Sequence, residues 1–238
     1  MHIKKVFLIA ILIFITLFST SYSLEYEEQA RALYDLGLYL GRSQTTYEPD
    51  LEGKVTRQDA SIMLLRIFGL EDEALKLNLE EARNVLESDF LDGKDVADYA
   101  IRQVAYATKQ GIIMGFPDGR FAPRELITGK QYCALVLRML GYTDELDELG
   151  FDNSGELFSI IAGISPQRQK DFDVDDVIKR EILVGISFSA LKANLKNSDN
   201  ILGERLIKEG IVDRQQMEEK VLNIEVDELR VLEIYPVS

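Results

Sequence analysis

The sequence predicts an all-α protein. Three observations carry the prediction. Apolar residues recur at helical spacing in most segments. Two of those segments open on threonine-led capping chemistry, and that pattern occurs twice, 72 positions apart, at Thr56 and Thr128. At 46% hydrophobic residues the chain can bury a core rather than remain disordered.

The N-terminus comes first. Lys4 and Lys5 precede an apolar run from Val6 to Phe18, then Ser19-Thr20-Ser21-Tyr22-Ser23. A basic start, a short apolar core and small residues at −3 and −1 predict a secretory signal covering 1–23, cut after Ser23. The rival reading is a membrane anchor, but the run falls well below the roughly 20 apolar residues that span a bilayer. No cysteine follows it to take a lipid, and no later stretch is long and apolar enough to be transmembrane.

Cleavage narrows the chemistry. His2 is the single histidine, Cys133 the single cysteine, and there is no tryptophan. A mature chain therefore has no histidine for catalysis or metal binding. Cys133 lies in an apolar helix with nothing to activate it, which reads as a structural thiol. One cysteine forms no intramolecular disulfide. The formal charge is −14, and loss of Lys4 and Lys5 makes it −16. Such a chain repels nucleic acid and anionic lipid. The dense acidic patches, Glu71-Asp72-Glu73 and Asp144 to Glu148, read as solvated linkers.

A helix is predicted over Glu27 to Leu36, then a loop from Arg42 to Lys54 and a capped helix from Thr56 to about Gly69. Glu80 to Leu86 forms a linker helix. Asp95 is set to cap a helix whose Val96, Ala97, Ala100, Ile101, Val104 and Ala105 share a face. Gly111 ends it. Pro117-Asp118-Gly119 makes a turn. Thr128 and Gln131 form a capping box for a mostly buried helix over Tyr132 to Leu140. A third unit starts near Phe151, with a helix over Leu157 to Ile164 and a loop carrying Pro166 and Asp171 to Asp176. Its row Ile178-Lys179-Arg180-Glu181 opens a further helix, capped by Asp175 or Asp176. Setting Glu181 against Asp59 and Gln131 places Lys179 opposite Arg57, and Phe188 opposite Arg66 and Arg138. Asn200 to Val212 closes the body. The tail starts helical, and Val226 to Tyr235 alternates weakly, like a strand.

The repeated features have a fixed order. Gly37 to Gly41 matches Gly111 to Gly115, and Tyr47-Glu48-Pro49 matches Phe121-Ala122-Pro123, ahead of the two threonine corners. These residues resemble the S-layer homology family, whose pattern runs F-x-D…W-A…A…G-I…G…D-G-x-F-x-P…I-T-R-x-E before an apolar helix. Phe90, Asp92, Tyr99-Ala100, Gly111-Ile112, Gly115, Asp118-Gly119, Phe121, Pro123 and Ile127-Thr128 fill its slots. The match is densest in the middle unit, good in the first and thin in the third. The resemblance implies repeats at 24–78, 79–145 and 146–212, packed as a pseudo-threefold helical bundle, with a tail over 213–238. It implies a non-catalytic module binding an anionic, usually pyruvylated, secondary cell-wall polysaccharide in grooves between repeats.

Candidate ligand residues follow. A helix N-terminus offers N–H groups and partial positive charge to an anion, and a nearby arginine can grip a carboxylate with two bonds. Arg57 leads, with Thr56, Asp59, Thr128 and Gln131 at the corners and Lys130, Lys179, Arg180 and Glu181 by position. Both arginine and lysine are expected to be exposed at Arg57 and Lys130. Gly41 and Gly115 either admit a sugar to the backbone or only turn the chain. Asp171, Asp173 and Asp175 spell a calcium-like D-x-D-x-D, but the sixth and twelfth positions, Asp176 and Ile182, depart from it, so a solvated loop is preferred and no metal is assigned. No cofactor is called for, and no carboxylate pair is singled out for glycoside hydrolysis. Partners are a cell-wall glycopolymer and other envelope proteins, without nucleic acid or stable membrane insertion. The alternative is a structural envelope subunit acting through protein–protein contacts.

Overall fold

The computed structural model describes residues 24–223 apart from Gln44. Among them the chain is helical, with isolated β-bridges but no strand, as the sequence predicts. The signal segment 1–23 and the alternating run Val226 to Tyr235 lie outside the described residues.

Helix α1 spans 24–35. Helix α2, Arg57–Ile67, opens at Thr56, whose hydroxyl accepts the Asp59 N–H. Helices α3, Glu71–Leu75, and α4, Leu79–Asp89, follow, the latter capped by the Asn78 side chain. Helix α5, Ile101–Lys109, starts later than Asp95 suggested. Asp95 ends a short 3-10 turn instead. The Asp92 carboxylate pins this region by accepting the Phe121 and Ala122 N–H groups, and the Ala97 N–H, which a cap at Asp95 would take, goes to Gln58 Oε1 at 3.0 Å instead. Helix α6, Gly129–Leu140, carries the predicted capping box of Thr128 and Gln131.

Helices α7, Thr143–Leu149, and α8, Ser154–Ile161, lead to α9, Pro166–Phe172. This last stretch was expected to be loop. Pro166 stands in the first turn of α9, where its missing N–H is no loss and its fixed φ suits a helix. Helix α10, Arg180–Ala190, has Lys179 at its N-cap and no side-chain cap, so neither Asp175 nor Asp176 caps it. Helices α11, Leu202–Lys208, and α12, Arg214–Met217, then a π turn over Glu218–Leu222, complete the described chain. Lys220 returns to Asp35 of α1 at 2.7 Å.

Helices α2, α6 and α10 hold the architecture together. Their N-caps, Thr56, Thr128 and Lys179, share one extended conformation, with ψ of 160°, 164° and 163°. Each cap region is bridged to the chain just ahead of another: Thr56 to Leu126, Thr128 to Val177, Lys179 to Lys54. The three pairings close a ring. The first-turn N–H groups serve this ring. Arg57 and Gln58 donate to Glu125 O and Pro123 O at 2.9 and 3.1 Å, Arg180 and Glu181 to Gly53 O and Leu51 O at 2.7 and 3.0 Å, and Lys130 to Val174 O at 3.2 Å.

This pairing corrects the sequence alignment in two places. Lys179 corresponds to the cap threonines, so Arg180, not Lys179, stands opposite Arg57. Phe188 then falls on Leu65 and Leu137, all three buried, and Ser189 falls on Arg66 and Arg138. In the preceding loops Leu51 corresponds to Pro123 and Pro49 to Phe121, because the first loop is two residues longer between Arg42 and Glu48 than between Phe116 and Arg120.

One apolar core runs through all three units, from Leu33 and Leu64 through Val104 and Leu137 to Val184 and Leu206. Cys133 is fully buried in it, and burial pushes its thiol well above the usual range. Tyr132 and Ser187 meet inside at 2.8 Å and tie α6 to α10.

Candidate functional site

The ring leaves clefts where one unit's helix start meets the next unit's loop. The first cleft, of about 380 Å³, lies between α2, the loop around Gly115 and α6. Arg57 crosses into it from the start of α2. Its Nε donates to Phe121 O at 2.8 Å and its Nη1 to Gln131 Oε1 at 3.1 Å. Its guanidinium lies 4.3 Å from the centre of the Phe116 ring and 5.3 Å from that of Phe121. Burial holds its pKa down to about 10. Arg57 is therefore a fixed, half-buried cation, not the exposed side chain expected.

Arg138 reaches the same cleft from α6. Its Nη1 donates to Ile112 O at 3.3 Å, and its Nε is buried without an acceptor. Burial lowers its pKa also. Met114 and Phe151, 63% and 44% exposed, form an apolar rim. Arg138, Met114, Phe116 and Phe151 carry no role in the sequence reading. The one available signal was Arg138 itself, the charged residue interrupting the Tyr132 to Leu140 run.

The second cleft, of about 330 Å³, is built the same way from α10, the loop around Gly41 and α2. Arg180 occupies the position of Arg57 but stands 3.8 Å from Asp50. Arg66 occupies that of Arg138 and is held by Glu71 through two bonds of 2.6 and 2.7 Å. Asp59 lines this cleft as well. Its carboxylate accepts from Thr56 Oγ1 at 2.6 Å and from Tyr99 Oη at 2.8 Å, while Gln58 Nε2 donates to Tyr99 Oη at 2.8 Å. Burial, followed by the Asp59 bond, raises the Tyr99 hydroxyl to about 12.

At the third junction Gly129 holds the arginine position. A Cβ there would sit 2.3 Å from Phe172 O, so no side chain fits. Ser189 replaces the second arginine.

The predicted residues thus separate. Arg57, Gln131 and Gly115 line the first cleft, and Asp59, Gly41 and Arg180 the second. Arg57 and Asp59, neighbours in the sequence motif, face different clefts. Thr56 and Thr128 are caps. Lys130 pairs with Asp175, and Lys179 with Glu52 and Glu181, outside both clefts. The helix N–H groups offered to an anion are already taken by backbone carbonyls of the ring. Gly41 and Gly115 both have positive φ, and a Cβ would strike Glu48 O at 2.1 Å or the Phe90 ring at 2.7 Å. Loop closure alone requires glycine at both.

No group of acidic, histidine or cysteine side chains among the described residues is arranged to hold a metal ion, and no described helix is long and apolar enough to cross a membrane.

Three relatives share about half of this chain. An endoglucanase of Bacillus sp. (strain KSM-635) is 30% identical over 125 residues, 52% of this chain and 11% of its own. Exoglucanase XynX of Acetivibrio thermocellus is 29% identical over 121 residues, 51% of this chain and 10% of its own. An amylopullulanase of Thermoanaerobacterium thermosulfurigenes is 29% identical over 115 residues, 48% and 6%. The matched part is about a tenth or less of each relative's length. No solved structure matches the chain. Residues 89–133, which supply the wall of the first cleft from Ile113 to Gln131, match the S-layer homology domain. Over that stretch the chain is similar to the S-layer homology domain, a module that anchors proteins at the cell surface.

Proposed function

We propose that this chain is an exported, non-catalytic anchoring module that binds an acidic cell-wall glycopolymer. In this reading the three corner-and-helix units are S-layer homology repeats, at 24–78, 79–145 and 146–212, and the polymer lies in the clefts between them. A pyruvylated secondary cell-wall polysaccharide fits the resemblance. The supporting observation is Arg57: an arginine fixed by two neutral acceptors and an aromatic face, in a cleft with an apolar rim. Such a group is preorganised to receive an anion while the rim takes the apolar face of a sugar. The relatives are named for enzymes, but this chain matches only a small share of each, and its single histidine lies in the segment read as a signal.

The test is sedimentation of the protein lacking 1–23 with purified cell walls. The protein pellets with intact walls, stays in solution once the non-peptidoglycan polymer is stripped, and is released at 1 M salt, where screening shortens to about 3 Å. Binding indifferent to stripping overturns the reading. Export is checked separately: mass spectrometry of the secreted protein should find Leu24 at its start.

A further inference from the structure

We propose that the third junction holds a further site for a carboxylate-bearing sugar, built around Arg168, and that the chain occupies this site with its own Glu25. The inference rests on the anchoring reading for the choice of sugar. Its geometry comes from the first turn of α1.

The third junction has Gly129 and Ser189 where the other clefts have arginines. It nevertheless has a cavity, of about 420 Å³, between the start of α1, the loop around Gly163, α9 and α10. Positive charge enters it from new places. Arg168 comes from α9, and Lys192 from just past the end of α10. The Lys192 ammonium lies 5.5 Å from the centre of the Phe188 ring, and burial lowers its pKa. Phe172 and Phe188 supply two aromatic walls.

The occupant sets this junction apart. Counted from the three caps, Ile62, Ala134 and Gly185 are equivalent. Ile62 and Ala134 line their clefts. Gly185 is covered by the Tyr26 ring, which a Cβ would meet at 2.7 Å. Tyr26 is buried, and the Arg168 guanidinium stands 5.3 Å from its ring centre. The residue before it, Glu25, pairs through Oε2 with Arg168 Nη2. Its other oxygen accepts from Gln29 Nε2 at 3.0 Å. A carboxylate on an arginine beside an aromatic ring is the arrangement proposed for a ligand at Arg57 and Phe116. Here the chain supplies the carboxylate itself.

Two features mark Glu25 as replaceable. Its side chain is 36% exposed and that of Arg168 16%, so the acid sits at the mouth and the cation inside. Gln29 lines the same cavity, and its buried Oε1 has no donor among the described residues; a sugar hydroxyl would satisfy it. Burial raises the Asp171 carboxyl, and the Arg168 charge offsets part of that rise. Asp171 is thus a second acid in the field of Arg168, and an incoming carboxylate must replace that of Glu25 rather than join it. Carried on a helix, Glu25 competes at a high effective concentration, which keeps the site closed. Lys192 alone does not open it, because an ammonium lacks the planar fork that grips a carboxylate with two bonds.

The experiment titrates the protein lacking 1–23 with glucuronate and with glucose at pH 7.5. Amide chemical shifts are followed at Gly163, Ile164 and Ser189 for the third cleft, and at Gly115 and Phe116 for the first. In the parent, the third-cleft amides should respond only weakly to glucuronate. In Glu25→Gln they should saturate at a concentration at least about tenfold lower, as expected for one charge-assisted bond no longer contested. The first-cleft amides should titrate alike in both. Adding Arg168→Gln to Glu25→Gln should abolish the gain, while Arg168→Lys in that background should keep part of it. Glu25→Asp, which keeps the charge, should stay closed, and this separates a lost carboxylate from a loosened helix. No gain in Glu25→Gln, an equal gain in Glu25→Asp, or a gain that survives Arg168→Gln overturns the proposal. Glucose binding Glu25→Gln as tightly as glucuronate overturns its carboxylate part. Wall sedimentation of the parent separates the two claims. Pelleting without a gain in Glu25→Gln leaves anchoring standing and removes this inference. A gain without pelleting does the reverse.

Discussion

Arg57 shows how much and how little a residue's motif reveals. Its identity as a ligand candidate was legible at Thr56-Arg57-Gln58-Asp59, because a capped helix start followed by arginine is local chemistry. Its burial was not legible, since Phe121 O, Gln131 and the Phe116 ring come from 59 or more positions away. That burial changes the expected mutant. Arg57→Ala leaves Phe121 O without its side-chain donor and removes one of the two donors to Gln131 Oε1, the Thr128 N–H remaining. It should therefore lower stability by about 1–3 kcal/mol, besides weakening wall binding roughly tenfold to a hundredfold. Urea denaturation alongside sedimentation resolves the two effects. Unchanged stability would show that water replaces the side chain without cost. Glu181 gives a pH test. Burial raises its pKa above the usual glutamate range, more than Lys179 lowers it. The folded state then holds this proton more tightly than the unfolded one, so stability falls as pH rises from the ordinary glutamate range through the raised value. Asp171, also raised by burial, contributes with the same sign. Glu181→Gln should flatten that slope in thermal melts taken between pH 4 and 7, a range set by the reference glutamate pKa of about 4.3. A mutant as pH-sensitive as the parent would remove Glu181 from the account.

At the scale of elements, the helices with their own caps were readable. Thr56 and Thr128 start α2 and α6 where the sequence says. The α10 start was misplaced by one position because Lys179 does not cap, and its register is fixed by distant backbone: the bridge to Lys54 and the Arg180 and Glu181 bonds to Gly53 O and Leu51 O. The same holds for α5, where the Ala97 N–H that Asp95 would cap goes to Gln58 Oε1, 39 positions away. Gly129 is the element-level counterpart. A Cβ there meets Phe172 O at 2.3 Å and Val174 Cγ2 at 2.8 Å. Alanine normally favours a helix over glycine by about 1 kcal/mol. Here Gly129→Ala should destabilise instead, by about 1–3 kcal/mol, as measured by chemical denaturation. A more stable mutant would mean that the loop over Phe172 yields freely.

For the molecule as a whole, the ring of corners matters more than any single unit. Ile127 donates to Val55 O, Ile178 to Ile127 O and Arg180 to Gly53 O, so each unit completes another's backbone. Residues 89–133 expressed alone should accordingly lack a cooperative thermal transition by circular dichroism, while 24–223 melts as one. A two-state melt of the short fragment would contradict that dependence. The backbone joints between units are made of amides and carbonyls, which every residue but proline supplies in full. Selection on side chains at the corners is thereby uncoupled from selection on assembly. The spacing from Thr56 to Thr128 is 72 positions and from Thr128 to Lys179 only 51, yet both corners close the same way. Arginine, glycine and arginine follow three equivalent caps without opening the ring. Where the corner has room for a side chain, as at Arg57 and Arg180 but not at Gly129, such a scaffold can gain or lose a charged seat at one junction at a time, so its valency for a polymer can evolve while its shape is inherited.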